Sequence, residues 1–212
     1  MPGTFIQRAE ETGLIVEIGE WVVESVAETI SRWGRLGIQQ RLAVNISPRQ
    51  LDHASFFRKL LEAMLAARAP ANLLELEITE TLAMHCSSEV LEAIATLRTD
   101  GATIAIDDFG TGYSSLYNIR RFALDCLKID RSFVQAMTRE RESAGIVQAL
   151  VGLGHGLGLT IAAEGIEASG PEGALLGTGC EQGQGDLLGA PLDAAAAAAL
   201  FEHRATGSTT QA

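Results

Sequence analysis

LLELEIT (Leu73 to Thr79), EVLEAIATLR (Glu89 to Arg98) and ATIAIDD (Ala102 to Asp108) follow one another and decide the fold class. The outer two pieces are short and mostly apolar, as strands buried in a parallel sheet are; the middle one has helical spacing. Parallel neighbours need a long crossover, and a helix of this length supplies it. Working outward, the same alternation continues in both directions. Upstream, Ile15, Ile18, Val22, Val26 and Ile30 recur every three or four residues and predict a helix from Ile15 to Trp33, ended by Gly34 and Gly37. RLAVNIS (Arg41 to Ser47) reads as a strand. SFFRKLLEAMLAA (Ser55 to Ala67) reads as a helix that Pro70 stops.

Downstream, a short helix is expected at Ser114 to Phe122, a strand at Cys126 to Asp130 and a helix at Ser143 to Leu157. A strand at Leu159 to Gly165, a weak helix around Glu172 to Leu176 and a weak strand within Gly179 to Gly185 follow. A closing helix runs from Leu192 to Arg204. Six strands alternate with helices, and one helix precedes the first strand. That pattern belongs to an α/β protein, either a barrel or an open doubly wound sheet. No composition break marks a second domain, so residues 1–204 read as one domain and 205–212 as a disordered tail.

The chain has 212 residues, of which 47% are apolar and 5% aromatic. The apolar share excludes general disorder. A net charge of −11 argues against binding DNA or RNA through a basic surface. A phosphate ligand would therefore need a cation to reverse the local sign. Cys86, Cys126 and Cys180 are far apart and form no CxxC pair, as reduced structural thiols of a cytoplasmic protein would be. The N-terminus carries charges where a leader peptide needs an apolar run, and no stretch reaches the roughly 18 apolar residues of a membrane span. The reading is of a domain without membrane contact, although a larger parent could be anchored. An eight-unit β/α barrel takes about 250 residues, so this chain is short for one.

The polar residues sit at one end of the strands. Asn45 closes the first, Glu77 and Glu80 the second, Asp107 and Asp108 the third. Lys128 lies in the fourth, Glu164 and Glu167 follow the fifth, and Gln184 belongs to the sixth. Taken singly, a strand-end acid is often only a cap for the next helix. Six strands doing this together point to a site at the C-terminal face, where β/α barrels build theirs. Carboxylates with an amide oxygen suit Mg²⁺ or Mn²⁺. Two such ions about 4 Å apart serve phosphoryl displacement, and a lysine among them can orient water or steady developing charge. DFG at Asp108 to Gly110 has the letters of a kinase motif, but the companion kinase motifs are missing.

FIQRAEETGLI, NIS, LELEITET, IAIDDFGTGYSSL, LKIDRSFV and AEGIE, followed by GC and QG, resemble the EAL family of cyclic-di-GMP phosphodiesterases from Pro2 to about Leu192. The resemblance implies a TIM-like (β/α) barrel and Mg²⁺- or Mn²⁺-dependent hydrolysis of cyclic di-GMP to pGpG at a two-metal site. By motif, Asn45, Glu77, Asp107, Asp108, Glu164 and Gln184 correspond to metal-site residues, and Lys128 and Glu167 to catalytic ones, Lys128 being the catalytic lysine. Glu167 and Gln184 correspond to positions that organise the metal site, Gln184 through a water. Asp108 with Phe109, Gly110, Thr111, Gly112, Tyr113, Ser114 and Ser115 matches a loop linking metal binding to dimerisation, and Glu80 its anchor. A homodimer, and an upstream sensor or diguanylate cyclase domain in a larger parent, are implied in the same way.

The chain departs from the family pattern in three places. No Glu-Ala-Leu tripeptide occurs in it, about the first two strands of the barrel have no counterpart, and Asp186 stands where an aromatic residue is usual. These departures open a second expectation: an inactive domain that binds cyclic di-GMP, or a protein partner, as a sensor.

Overall fold

The computed structural model describes residues 2–51, 54–83, 86–111 and 123–207. They form two compact units, Met1–Leu76 with Cys86–Thr103 and Leu192–Ala212, and Glu77–His85 with Ile104–Pro191. Each is described by itself.

The first unit opens with helix α1 (Pro2–Thr12), which the sequence reading left out. Pro2 begins it where no backbone N–H is needed, and Gly13 breaks it at φ +80°. Helix α2 (Ile15–Arg35) runs past Gly34 by a residue. Its buried stripe is Ile15, Gly19, Val23, Ala27, Ile30 and Trp33, one residue along from the expected Val22 and Val26. Arg32 and Arg35 favour its negative C-terminal end. Strand β1 (Leu42–Asn45) lies beside β2 (Leu74–Thr79). Between them come α3 (Pro48–Leu51) and α4 (Ala54–Ala67). Phe56, Phe57, Leu60 and Met64 of α4 are buried, and α4 packs on α2. Gln50 crosses α2 at Gly19, with Nε2 donating to the Ile15 carbonyl at 3.3 Å and Oε1 accepting from Ser47 N–H at 2.8 Å. A side chain at residue 19 would collide with that amide.

Helix α6 (Ser88–Thr99) is capped by the Ser87 hydroxyl, which accepts from Val90 N–H at 3.3 Å, and buries Val90, Ile94 and Leu97. Helix α10 (Ala194–Gly207) lays Phe201 against Trp33 with ring centroids 5.5 Å apart. It carries Ala205 to Gly207, expected in a disordered tail, because an alanine run is the best helix former and propagates past Arg204.

The second unit begins at Glu77, in the last half of β2, and includes α5 (Glu80–Ala83). Strands β3 (Thr103–Phe109), β4 (Cys126–Ile129), β5 (Thr160–Ala163) and β6 (Gln182–Gly183) follow in sequence order and pair in parallel. Helices α7 (Arg131–Ala136) and α8 (Arg141–Gly156) cross from β4 to β5. Val147, Val151 and Gly154 of α8 face those strands, and a side chain on Gly154 would lie 2.0 Å from Ile161. Leu127, Ile129 and Ile161 are fully buried. Ala105, Cys126 and Ala162 form a separate buried cluster on the opposite strand face. Two carboxylates close strand starts: Asp125 accepts from Ile104 N–H at 2.9 Å and Glu181 from Ile161 N–H at 2.8 Å.

Helix α9 (Ser169–Thr178) is longer than the expected Glu172 to Leu176. Pro171 sits within its first turn, where the missing N–H has no helical partner to lose. The expected helix at Ser114 to Phe122 lies outside the described residues, as do Ser208 to Ala212. None of the three cysteines is in a disulfide, and Cys126 is buried. Truncating Phe57, 1% exposed, to alanine should cost about 3–5 kcal/mol. The exposed Leu65→Ala should stay within about 0.5 kcal/mol. Urea unfolding of the two variants measures both.

Candidate active site

Side chains alternate along a strand, so Glu77 of β2, Ala105 and Asp107 of β3, and Cys126 and Lys128 of β4 share one face. The register sets Ala105 opposite Cys126, and Lys128 opposite Ala162 just before Glu164. Small residues thus lie beneath the charged ones. The Lys128 ammonium donates to Glu77 Oε1 at 2.7 Å, pairs with Glu164 Oε1, and lies 3.6 Å from Asp107 Oδ1. These side chains are 6% (Lys128), 7% (Glu77), 13% (Asp107) and 19% (Glu164) exposed, so the charges are screened by one another more than by water.

Burial alone would lower the Lys128 pKa. Its hydrogen bonds to Glu164 and Glu77, and the charges of Glu77 and Asp107, outweigh burial and push it up. Burial pushes Glu164 above the ordinary carboxylate value; Lys128 pulls it back, while Asp107 and Glu77 add to the rise. Asp108 is also raised, by burial and then by the charges of Asp107 and Asp130.

Asp108 has φ +53°, a conformation unusual for a residue with a side chain. Its N–H donates to Asp107 Oδ1 at 3.0 Å and its carbonyl accepts from the Thr111 hydroxyl at 2.8 Å. The tight turn gathers carboxylate oxygens of Asp107, Asp108 and Glu164 within 4.8 Å of one another. Four acids with Glu77 face one ammonium. An all-oxygen, negatively charged donor set fits a hard divalent cation.

Glu80 is 3% exposed. Its Oε2 accepts from Gly110 N–H at 2.9 Å, and nothing among the described residues donates to Oε1. Gly110 itself lies against Phe133 and Leu150, which a side chain there would meet at 3.0 and 3.3 Å.

The structure therefore joins Glu77, Asp107, Asp108, Lys128 and Glu164, and attaches Glu80 to Gly110 beside Phe109. Glu167 bonds instead to Gln135 Nε2 at 2.9 Å. The Gln184 side chain is exposed, while its N–H and carbonyl bond Ala163 and Ile166. Asn45 ends β1 in the first unit. Gly112 to Ser115 lie outside the described residues. Sequence reasoning missed two neighbours, Asp130 and Gln135. Asp130 accepts from the N–H of Ser132 at 3.0 Å and from its hydroxyl, which with other hydrogen bonds outweighs burial and holds its carboxyl below the usual value. Asp-x-Ser directly after a strand was its one available signal, that of a helix cap.

Residues 1–191 match the EAL domain family. The chain belongs to that family. It is 41% identical over 91% of its length to the bifunctional diguanylate cyclase/cyclic di-GMP phosphodiesterase MucR of Pseudomonas aeruginosa, covering 28% of that protein. It is 36% identical over 92% of its length to the cyclic di-GMP phosphodiesterase PdeR of Escherichia coli, covering 30% of it. The solved PaMucR phosphodiesterase, in complex with c-di-GMP, superposes with a TM-score of 0.88 at 40% identity. That match covers 93% of this chain and 80% of the other. The chain spans less than a third of the length of the curated relatives it matches here. The EAL domain is thus of the TIM-like (β/α) type, with a six-stranded sheet among the described residues. No helix among the described residues is long and apolar enough to cross a membrane.

Lys128→Met leaves buried carboxylates without their counter-ion and should cost about 3–5 kcal/mol at pH 7.5. Glu164 is raised in the folded state, so the variant should regain stability as pH falls toward 5, or when Mn²⁺ is added. Urea unfolding under the three conditions tests both. Because Asp108 and Glu164 hold protons above their ordinary values of 3.8 and 4.5, Mn²⁺ should bind wild type more weakly at pH 5 than at pH 7.5, as titration calorimetry would read.

Proposed function

We propose that this EAL domain hydrolyses cyclic di-GMP to linear pGpG with Mg²⁺ or Mn²⁺, as part of a larger cytoplasmic signalling protein. The observation that carries the reading is the Lys128-centred carboxylate cluster, in a chain 41% identical to a relative named for this activity. Asp107, Asp108, Glu164 and Glu77, with Asn45 carried over by motif, are the proposed cation ligands. When bound, the cations supply Lewis acidity at the phosphodiester and make a water more acidic.

Its carboxylate neighbours push the Lys128 pKa up in the absence of cations. Lys128 serves as a donor and a positive charge that orients the attacking water and steadies negative charge gathering on the phosphorus oxygens. Glu167 and Gln184 organise the surroundings of the site. Glu80 holds Gly110, and by motif we assign Asp108 to Ser115 to coupling the site with a second copy of the domain.

A second reading is favoured by one sequence fact, the absence of a Glu-Ala-Leu tripeptide. Under it the domain binds cyclic di-GMP without turnover and reports it to a partner. Incubation with cyclic di-GMP and Mn²⁺, followed by chromatography for pGpG, separates the two. Turnover should appear and fall by about 10²-fold or more in Asp107→Asn, as loss of a cation ligand implies. Nucleotide binding by calorimetry with no pGpG, in wild type as in Asp107→Asn, leaves the sensor reading standing.

A further inference from the structure

Helix α7 starts directly after the strand that carries Lys128, and it touches the site's surroundings at both ends. At its start, Asp130 caps the helix through Ser132 and lies against the Asp108 carboxyl. One turn on, Gln135 Nε2 donates to Glu167 Oε1 at 2.9 Å. The intervening segment Glu164 to Glu167 is pressed onto the same helix. Gly165 has φ +69°, and a side chain on it would lie 2.4 Å from Arg131 Cβ and 3.5 Å from Gln135 Nε2. The opposite side is held by backbone. Ile166 N–H donates to the Gln184 carbonyl at 3.0 Å, and Leu187 N–H to the Ile166 carbonyl at 3.0 Å.

The backbone of this segment is therefore fixed from two sides, which places Glu164. The Glu167 carboxylate is different. Both it and Gln135 reach into solvent, and an exposed glutamate left to itself samples several rotamers. The Gln135 amide selects one of them. An amide is suited to the task in a way that a lysine is not: it holds one carboxylate oxygen without cancelling the charge, and leaves the other oxygen free to accept.

We infer that Gln135 is a positioning residue, which aims the Glu167 carboxylate and thereby tunes cation binding at the neighbouring acids. The inference rests on the cation reading of the Asp107, Asp108 and Glu164 cluster and on the organising role proposed above for Glu167. Residues that orient a metal's surroundings typically change affinity by 10–100-fold when removed.

The experiment is Mn²⁺ binding to the full chain without nucleotide, read by electron paramagnetic resonance, beside thermal unfolding. Gln135→Ala should shift the metal-free Tm by less than about 2 °C, as an exposed substitution does. The same change should weaken Mn²⁺ binding by about tenfold. Gln135→Glu, which sets two like charges together, should weaken it at least as much. In a Glu167→Gln background, Gln135→Ala should have no further effect. Wild-type affinity in Gln135→Ala, or an equal loss with and without Glu167, overturns the inference alone. Absence of any Asp107-dependent Mn²⁺ binding in wild type overturns the cation reading and the inference with it.

Discussion

The Lys128 ammonium, buried among Glu77, Asp107 and Glu164, is the interaction on which the second unit depends. An isolated carboxylate with so little solvent contact costs several kcal/mol and would take up a proton instead. Three of them tolerate one another because a single positive charge stands between them. The pairing works in both directions: the acids keep the lysine charged, and the lysine keeps enough of the acids ionised to attract a cation. Asp108, beside Asp107 and Asp130, is raised by burial and by those two charges, and Lys128 offsets only part of the rise.

This arrangement follows from parallel pairing. In a parallel sheet every C-terminal strand end lies on one side, and pairing turns alternate positions of neighbouring strands to the same face; the β3–β4 register shifts between Ile106 and Phe109, where Asp107 and Asp108 lie. Asp107 and Lys128 reach a common region because their strands pair through Ala105 and Cys126, and Glu164 joins them one step beyond Ala162. The small side chains at Ala105, Cys126 and Ala162 matter for the same reason. Bulkier residues on that face would compete with the lysine stem for the space under the carboxylates.

Much of this was legible in the chain. Alternating periodicity placed all six strands, and the strand-end rule selected Glu77, Asp107, Lys128 and Glu164, because both signals are local and repeat. What escaped depends on contacts made in three dimensions. Helix α1 is only 11 residues long and its apolar positions were read as part of a motif, not as a stripe. The exact buried face of α2 was missed because Gly19 packs as closely as a large apolar residue once Gln50 lies over it. Glu167 was grouped with the acids from its place after β5, yet it bonds to a helix that precedes that strand in the chain. No spacing rule links residues 135 and 167. The disordered tail was overextended by three residues because helix propensity, once propagating, outlasts the last charged residue.

A lysine at the centre of the proposed cation site looks at first like a contradiction, since it occupies the carboxylates that a metal needs. The geometry resolves it. Lys128 engages Glu77 and one oxygen of Glu164 closely but stands 3.6 Å from Asp107, and Asp108 lies outside its hydrogen bonds. Each carboxylate has two oxygens and about four acceptor positions, so an acid can serve an ammonium on one side and a cation on the other. The lysine thus fills part of the set permanently and leaves an edge of Asp107, Asp108 and Glu164 oxygens facing outward. It occupies one oxygen each of Glu77 and Glu164, and the second oxygen of Glu164 stays available to exchangeable charge beside Asp107 and Asp108. The same division suits phosphodiester chemistry, in which a positive group that never leaves must sit beside one that can.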